Sequence, residues 1–407
     1  MIDGVQSCIL NLLGYSLFHR EKPEINQNNI NEIIRESNEQ AVFLHVFSAI
    51  NDDVKILSPE TFLTLNQQYL AGIANSIRVH TEHGELHKIM GESDIPYVVL
   101  KGCASSAYYS EPDLRSMGDV DFLVYEKDIM RGIKALENNG FERDQYEFTT
   151  NQSAYHRAPL SIWEIHKEPS GIPKGIEGDV IRKELRNIIE DAVLYERDGL
   201  CFNVPKPYHH GLILLLHKIS HMTTTGIGLR HLCDWAVFES SFTNDEFIKI
   251  FENGLKSCGI WRFAQIMTLV CEKYIRAPKR EWAQNSAISD EYLESIMSDI
   301  LSGGNFGHKD ENRQREIKYL TDRKEGKLGN KNIVSQAISS LNEKVYNSFP
   351  TISRHRILLP SGWILEGGKY FGLLISGKRK NKNTSAMLKE AAERKNIYQK
   401  MKLFRHE

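Results

Sequence analysis

Asp119 and Asp121, in the run Gly118-Asp119-Val120-Asp121-Phe122-Leu123-Val124, are the residues whose type and spacing best suit chemistry. On a strand, successive side chains alternate faces, so both carboxylates point one way while Val120 and Phe122 point the other. Two carboxylates on one face repel unless a cation lies between them. Hard oxygen ligands with few other protein donors suit magnesium or manganese, which keep waters and share substrate phosphates. Gly118 lets a bulky ligand approach closely. A third acid stands in Ile162-Trp163-Glu164-Ile165-His166, where alternation puts Glu164 and His166 on one face. If that strand lies beside the first, Asp119, Asp121 and Glu164 converge, enough to hold metal and activate an incoming hydroxyl. An isolated Asp-x-Asp is a common polar strand edge; the third acid and the preceding Lys-Gly give this one its weight.

Several basic residues could serve the same site. Lys101, in Leu100-Lys101-Gly102-Cys103, closes a short strand and enters a helix, where it could meet a phosphate with help from backbone N–H groups. Otherwise it is a surface lysine. Arg115, in a loop with Ser116, could clamp phosphate or brace Asp113 or Glu111. His217 and His221 are four apart and share a helix face. They are not the HExxH pair of a zinc protease, because Lys218-Ile219-Ser220 lies between them. Arg230 and Asp234 repeat that spacing after Thr225-Gly226-Ile227-Gly228. They form either an intrahelical ion pair beside packed histidines, or a wall of a nucleotide or acceptor cleft. Tyr155 and His156, on the strand before Glu164, are weaker candidates.

The elements that must position these groups read as helices, a small α/β segment, then helices again. Ser58-Pro59-Glu60 is a helix start, and Leu63, Leu70, Ile73, Ile77, Val79, Leu86 and Ile89 roughly follow the helical period. Tyr97–Leu100 and Asp119–Tyr125 read as strands, and Lys127–Asn139 as an amphipathic helix closed by Asn139-Gly140. Thr149–Arg157 and Leu160–His166 read as two strands around Ala158-Pro159. Helices are expected at 176–191, 207–222, 229–239 and 244–256. The expected class is α+β, a small mixed sheet flanked by helical regions. Its divisions are 1–92 (helical), 93–170 (α/β core), 171–345 (helical, completing the cleft) and 346–407.

Composition narrows the field. With 51 Lys plus Arg against 53 Asp plus Glu, the net charge of −2 argues against a protein that coats nucleic acid. Six cysteines without CxxC spacing indicate neither a zinc site nor a disulfide framework, so a reducing cytoplasm is the simplest setting. The start lacks a secretory pattern, and no stretch approaches the roughly 20 apolar residues of a membrane span. From Gly377 the chain carries ten Lys or Arg against three Glu, after the apolar segment Ile357–Ile375. That tail reads as a solvated helix, with contact to an acidic partner or membrane surface as the alternative.

Lys101-Gly102, Arg115-x-x-Gly118-Asp119-x-Asp121 and the later Glu164-x-His166 resemble the DNA polymerase β-like nucleotidyltransferase superfamily. They resemble more closely an uncharacterised bacterial nucleotidyltransferase family within it. The overlap is closest from about residue 95 to 240 and includes the His…Gly-Leu-Arg…Asp pattern of the helical half. The resemblance implies transfer of a nucleoside monophosphate from a nucleoside triphosphate to a hydroxyl or phosphate acceptor, with release of pyrophosphate. Asp119, Asp121 and Glu164 would be catalytic and hold the metal. Lys101, Gly102, Arg115, Ser116, His166, His217, His221 and Arg230 would line the nucleotide. The sequence departs from the pattern twice: Gly102-Cys103 stands where the superfamily has Gly-Ser or Gly-Gly, and Glu164 where Asp is more usual. A catalytically inactive nucleotide-binding or regulatory protein is the first alternative. A transferase using an activated sugar donor, in surface-polymer or natural-product assembly, is the second.

Overall fold

A mixed five-stranded sheet carries the carboxylates, and helices enclose it. The computed structural model describes residues 2–57, 59–148, 152–309, 321–322, 327–328 and 384–405. Four helices come first: α1 (Gly4–Phe18), α2 (Ile30–Glu39), α3 (Phe43–Leu57) and the long α4 (Pro59–Glu92). Strand β1 (Tyr97–Val99) leads through the short α5 (Cys103–Ser106) to β2 (Asp119–Val124), followed by α6 (Ile129–Asn138). Then come β3 (Glu142–Phe148), β4 (Gln152–His156) and β5 (Ile162–His166), in the sheet order β1-β2-β5-β4-β3. β2 and β5 run parallel, and the other pairs are antiparallel. The α+β class expected from the sequence is the one observed.

Alternation gives the sheet two faces. Val120, Phe122, Val124, Tyr155, Trp163 and Ile165 are buried in one core cluster with Val79, Leu86 and Ile89 of α4 and Leu136 of α6. A second, larger cluster runs through α1–α3 and the later helices α8 (Pro207–Thr223), α9 (Leu229–Ser240), α12 (Trp261–Tyr274) and α13 (Asp290–Gly303). Among the described residues, no helix is long and apolar enough to cross a membrane.

Several expectations change. On α4 the apolar positions split: Val79, Leu86 and Ile89 are buried against the sheet core, while the N-terminal half packs Phe62, Leu65, Tyr69 and Ile73 on the other core cluster and leaves Leu63, Leu70 and Ile77 exposed. Ser58 itself lies outside the described residues. The helix expected over 176–191 ends early, as α7 (Ile176–Glu184), and a hairpin follows it, β6 (Val193–Arg197) with β7 (Leu200–Val204). Its turn is Asp198-Gly199, both at positive φ, as a tight two-residue hairpin requires. The helix expected over 244–256 is α10 (Asn244–Phe247) and α11 (Asn253–Ser257), joined by a π-helical turn over Ile248–Glu252. The apolar segment Ile357–Ile375 lies outside the described residues. Of the basic tail, Thr384–Gln399 is a helix docked on α13: Arg394 Nε donates to Asp299 Oδ1 at 2.8 Å and Tyr398 Oη to Asp299 Oδ2 at 2.7 Å. It is therefore not solvated all round.

Candidate active site

The pairing of β2 with β5 sets Asp121 directly opposite Glu164, with Asp119 opposite Ile162 and Leu123 opposite His166. Ligand atoms of Asp121, Glu164 and His166 all lie within 4.8 Å of one another. His166 Nε2 donates to Asp121 Oδ1 at 2.9 Å and stands 3.3 Å from Glu164 Oε2. Lys101 Nζ holds the other oxygen of Asp121 at 2.7 Å. Gln152, from β4, donates to Glu164 Oε2 at 3.2 Å. Asp121 and His166 are buried, Glu164 is half-buried, and Asp119 stands at the more open end of the strand.

The charges divide accordingly. Burial alone would raise the Asp121 pKa, but Lys101 and His166 outweigh it and hold this carboxyl well below the usual range. Asp119 is pushed up, first by the negative charge of Asp121 and then by burial. Glu164 is raised chiefly by burial. Burial opposes charge on His166, yet its bonds to Asp121 and Glu164 raise its pKa. Among the described residues the donors that lie together are those of Asp121, Glu164 and His166, a group that does not include Asp119. Two carboxylates and an imidazole fit a divalent cation, which would also relieve the repulsion on Asp119.

Lys101 thus meets Asp121, and the turn after it is tight. Gly102 has φ 55°, and the amides of Ser105 and Ser106 both donate back to its carbonyl. Cys103 is buried with its thiol 3.4 Å from Met117 Sδ, so the residue replacing the superfamily's small second position faces the protein's own interior.

Arg115 is placed differently from the expectation. Its buried guanidinium is bidentate on Asp234, Nε to Oδ1 at 2.7 Å and Nη2 to Oδ2 at 2.9 Å, and Tyr109 Oη joins Oδ1 at 2.8 Å. It does not brace Asp113, which Arg197 holds instead at 2.6 and 3.0 Å. The intrahelical Arg230–Asp234 pair is replaced in the same stroke. Arg230 Nη1 donates to Ser116 O at 3.2 Å, and its guanidinium lies over Phe306. Ser116 therefore enters through its carbonyl.

His217 and His221 stack edge to face, 4.3 Å between centroids, and both feel the charge of Lys101. Arg230 in turn feels the charge of Asp119, so these three residues of the helical half face the charged end of the sheet. Tyr155 is wholly buried on the other face of the sheet, and His156 is exposed near Glu142, so neither joins the site.

Helix α4 braces all of this. Asn75 Nδ2 donates to Met117 O and Ser76 Oγ to Arg115 O, which pins the loop entering β2. Buried Glu82 accepts from Ser161 N and Trp163 Nε1, which fixes the start of β5. Sequence reasoning passed over Glu82. The signal was an acid in register with Val79 and Leu86 on one helix face. His231, beside His217 and His221, was also missed; it lies next to Arg230 but shows no spacing of its own.

Residues 26–276 match the model of a family described as uncharacterised nucleotidyltransferase. Among solved structures, the chain is similar to an antigenic nucleotidyltransferase-like protein from Paracoccidioides brasiliensis, with 14% identity and a TM-score of 0.33. That match covers 50% of this chain and 94% of the other. A search of curated proteins found no match.

Proposed function

The chain belongs to the uncharacterised nucleotidyltransferase family, and from that premise we propose that it moves a nucleoside monophosphate from a nucleoside triphosphate to a hydroxyl or phosphate acceptor. Asp119, Asp121 and Glu164 would hold magnesium or manganese and carry the chemistry. The observation that carries this reading is the register of β2 and β5, which sets Asp121 beside Glu164 with Asp119 on the same face.

In this mechanism the acceptor oxygen attacks the α-phosphorus, the bond to the bridging oxygen of the β-phosphate breaks, and pyrophosphate leaves. The bound cation would neutralise the phosphates and align the attack. Glu164 would complete the metal site or accept the acceptor's proton. His166 holds Asp121 in one orientation. Lys101 balances the charge of Asp121 before substrate arrives and turns to a phosphate oxygen afterwards. Arg230, His217 and His221 close the nucleotide's side of the cleft, while Arg115 positions the Arg115–Gly118 loop through Asp234. Most of the gain is positioning and electrostatic stabilisation.

One observation favours a second reading, a nucleotide-binding protein without turnover. Lys101 and His166 already occupy both oxygens of Asp121. A thermal-shift titration with each triphosphate, with and without magnesium, separates the readings when paired with an assay for released pyrophosphate. Magnesium plus triphosphate at a hundredfold excess over Kd should stabilise the wild type by about 2.7 kcal/mol. Asp119→Asn and Asp121→Asn should fold and lose most of that gain. Equal stabilisation of wild type and both variants would show that the nucleotide binds elsewhere. Stabilisation without pyrophosphate release would favour the second reading.

A further inference from the structure

Three buried side-chain atoms without a hydrogen-bond partner among the described residues lie around Phe306, beside the start of α9: Arg230 Nε, His231 Nε2 and Asn305 Oδ1. His231 is only 3% exposed. The Gly228 N–H donates to its Nδ1 at 3.3 Å, so in the neutral ring the proton sits on Nε2. Two of the three orphan atoms are therefore N–H donors. A buried donor left unpaired costs on the order of 1–3 kcal/mol, so a partner with acceptor oxygens is strongly favoured there.

The surroundings say which partner. The His231 ring lies 5.8 Å from both His217 and His221 and 5.3 Å from Phe306, which forms one continuous wall. The α9 amides are not the donors on offer, because Leu229 N and Arg230 N both donate to Gln40. The charges facing the three rings are Lys101 from the end of β1, Lys218 from α8, Arg230 and Asp234 from α9, and Asp121 from β2. Three cations and two anions face the rings, and Asp119 also faces Arg230. Burial first, and then Lys101 for His217 and His221 and Arg230 for His231, keep the imidazoles neutral. Unpaired N–H donors, the Arg230 guanidinium and the imidazoles of His217 and His221, whose Nδ1 atoms meet the hydroxyls of Ser170 and Thr225, make a site for a polyvalent oxyanion.

We propose that Arg230 and His231, walled by His217 and His221, form a pyrophosphate-binding site that takes the β- and γ-phosphates of the donor and holds the pyrophosphate product. This rests on the nucleoside-triphosphate reading above, and it adds His231 as a binding residue. It also makes phosphate binding proton-linked through His217 and His221, which can gain protons when the anion arrives, while His231 donates from its neutral ring.

The test is calorimetric titration of the full-length protein with inorganic pyrophosphate, free of divalent metal, in two buffers of different ionisation enthalpy. Wild type should bind with proton uptake, and more tightly at about pH 6 than at about pH 8. His231→Phe keeps a ring but removes the donor and should weaken binding roughly tenfold. His231→Gln keeps an N–H and should restore most of the loss. Arg230→Gln, at a half-exposed position, carries the same test if His231→Phe does not fold, and should weaken binding by a similar factor. Absence of pyrophosphate binding, or unchanged affinity in His231→Phe or Arg230→Gln, overturns the site. Failure of the carboxylate reading shows up separately, in the magnesium–triphosphate thermal shift of Asp121→Asn.

Discussion

Asp121 is a carboxylate with both oxygens engaged by cationic side chains, at 2.7 Å by Lys101 and 2.9 Å by His166. Lys101 thereby competes with any metal that uses Asp121. Removing its charge in Lys101→Met should tighten manganese binding to the nucleotide-free protein, by roughly tenfold if the competing charge is worth about one pKa unit of interaction. On the proposed role of Lys101, turnover should fall in the same variant, because its contact with phosphate is lost. Titration of free manganese by electron paramagnetic resonance reads the first effect, and unchanged or weaker manganese binding would contradict the competition. The second tightly held carboxylate, Asp234, has no such freedom. Its partners Arg115 and Tyr109 are all but sealed from water, so Asp234→Asn leaves a buried guanidinium uncompensated and should cost about 3–5 kcal/mol of stability. A denaturant midpoint close to that of wild type would show that Arg115 finds another partner. The Asp pair, Glu164 and their common face were legible in the sequence because strand parity is local. The partner of Arg115 was not, because it lies 119 residues away.

At the scale of elements, α4 is the brace. Its Glu82 accepts the Ser161 amide at 3.1 and 3.2 Å and the Trp163 indole N–H at 3.0 Å, one residue before Glu164. Glu82→Ala should leave both donors buried and unpaired, at a cost of about 2–4 kcal/mol, and loosen the register that sets Glu164 against Asp121. Chemical denaturation checks the first part, and a midpoint within error of wild type would refute it. The strands with alternating apolar residues were readable from their period. β3, Glu142–Phe148, was not, because its residues are mostly polar and offer no such pattern. The β6–β7 hairpin carried a readable turn in Asp198-Gly199, but the charged run before it resembled a helix continuing from α7. The exposed Leu63, Leu70 and Ile77 show the converse: a seven-residue repeat marks one helix face without saying that the protein covers it.

Over the whole molecule, the N-terminal helices and the later ones share one core, which no local pattern announces. Gln40 donates to Leu301 O, Lys309 reaches Glu36, and Arg20 donates to Arg276 O, contacts spanning more than half the chain. Buried neutral histidines lie within this scaffold: His45 on α3, His83 on α4 and His210 on α8. Burial dominates all three and lowers His45 and His83 to about 4 and His210 to about 3, against an ordinary 6.5. In the unfolded chain these rings take protons as pH falls through 6.5, while in the folded protein they stay neutral until about 4 or below. The unfolded state therefore binds more protons across that window, and stability rises with pH within it. Each ring accounts for on the order of 3 kcal/mol that is present above pH 6.5 and lost as pH falls towards the folded values. The expected outcome is a melting temperature that drops steeply between about pH 6.5 and 4, before most carboxylates titrate. His45→Gln, which cannot gain a proton, should make that slope shallower even if it lowers stability at neutral pH. Melting curves across this range decide the matter: a melting temperature flat down to about pH 4.5, or the same slope in His45→Gln, would mean that the rings are protonated in place and the scaffold accommodates their charge.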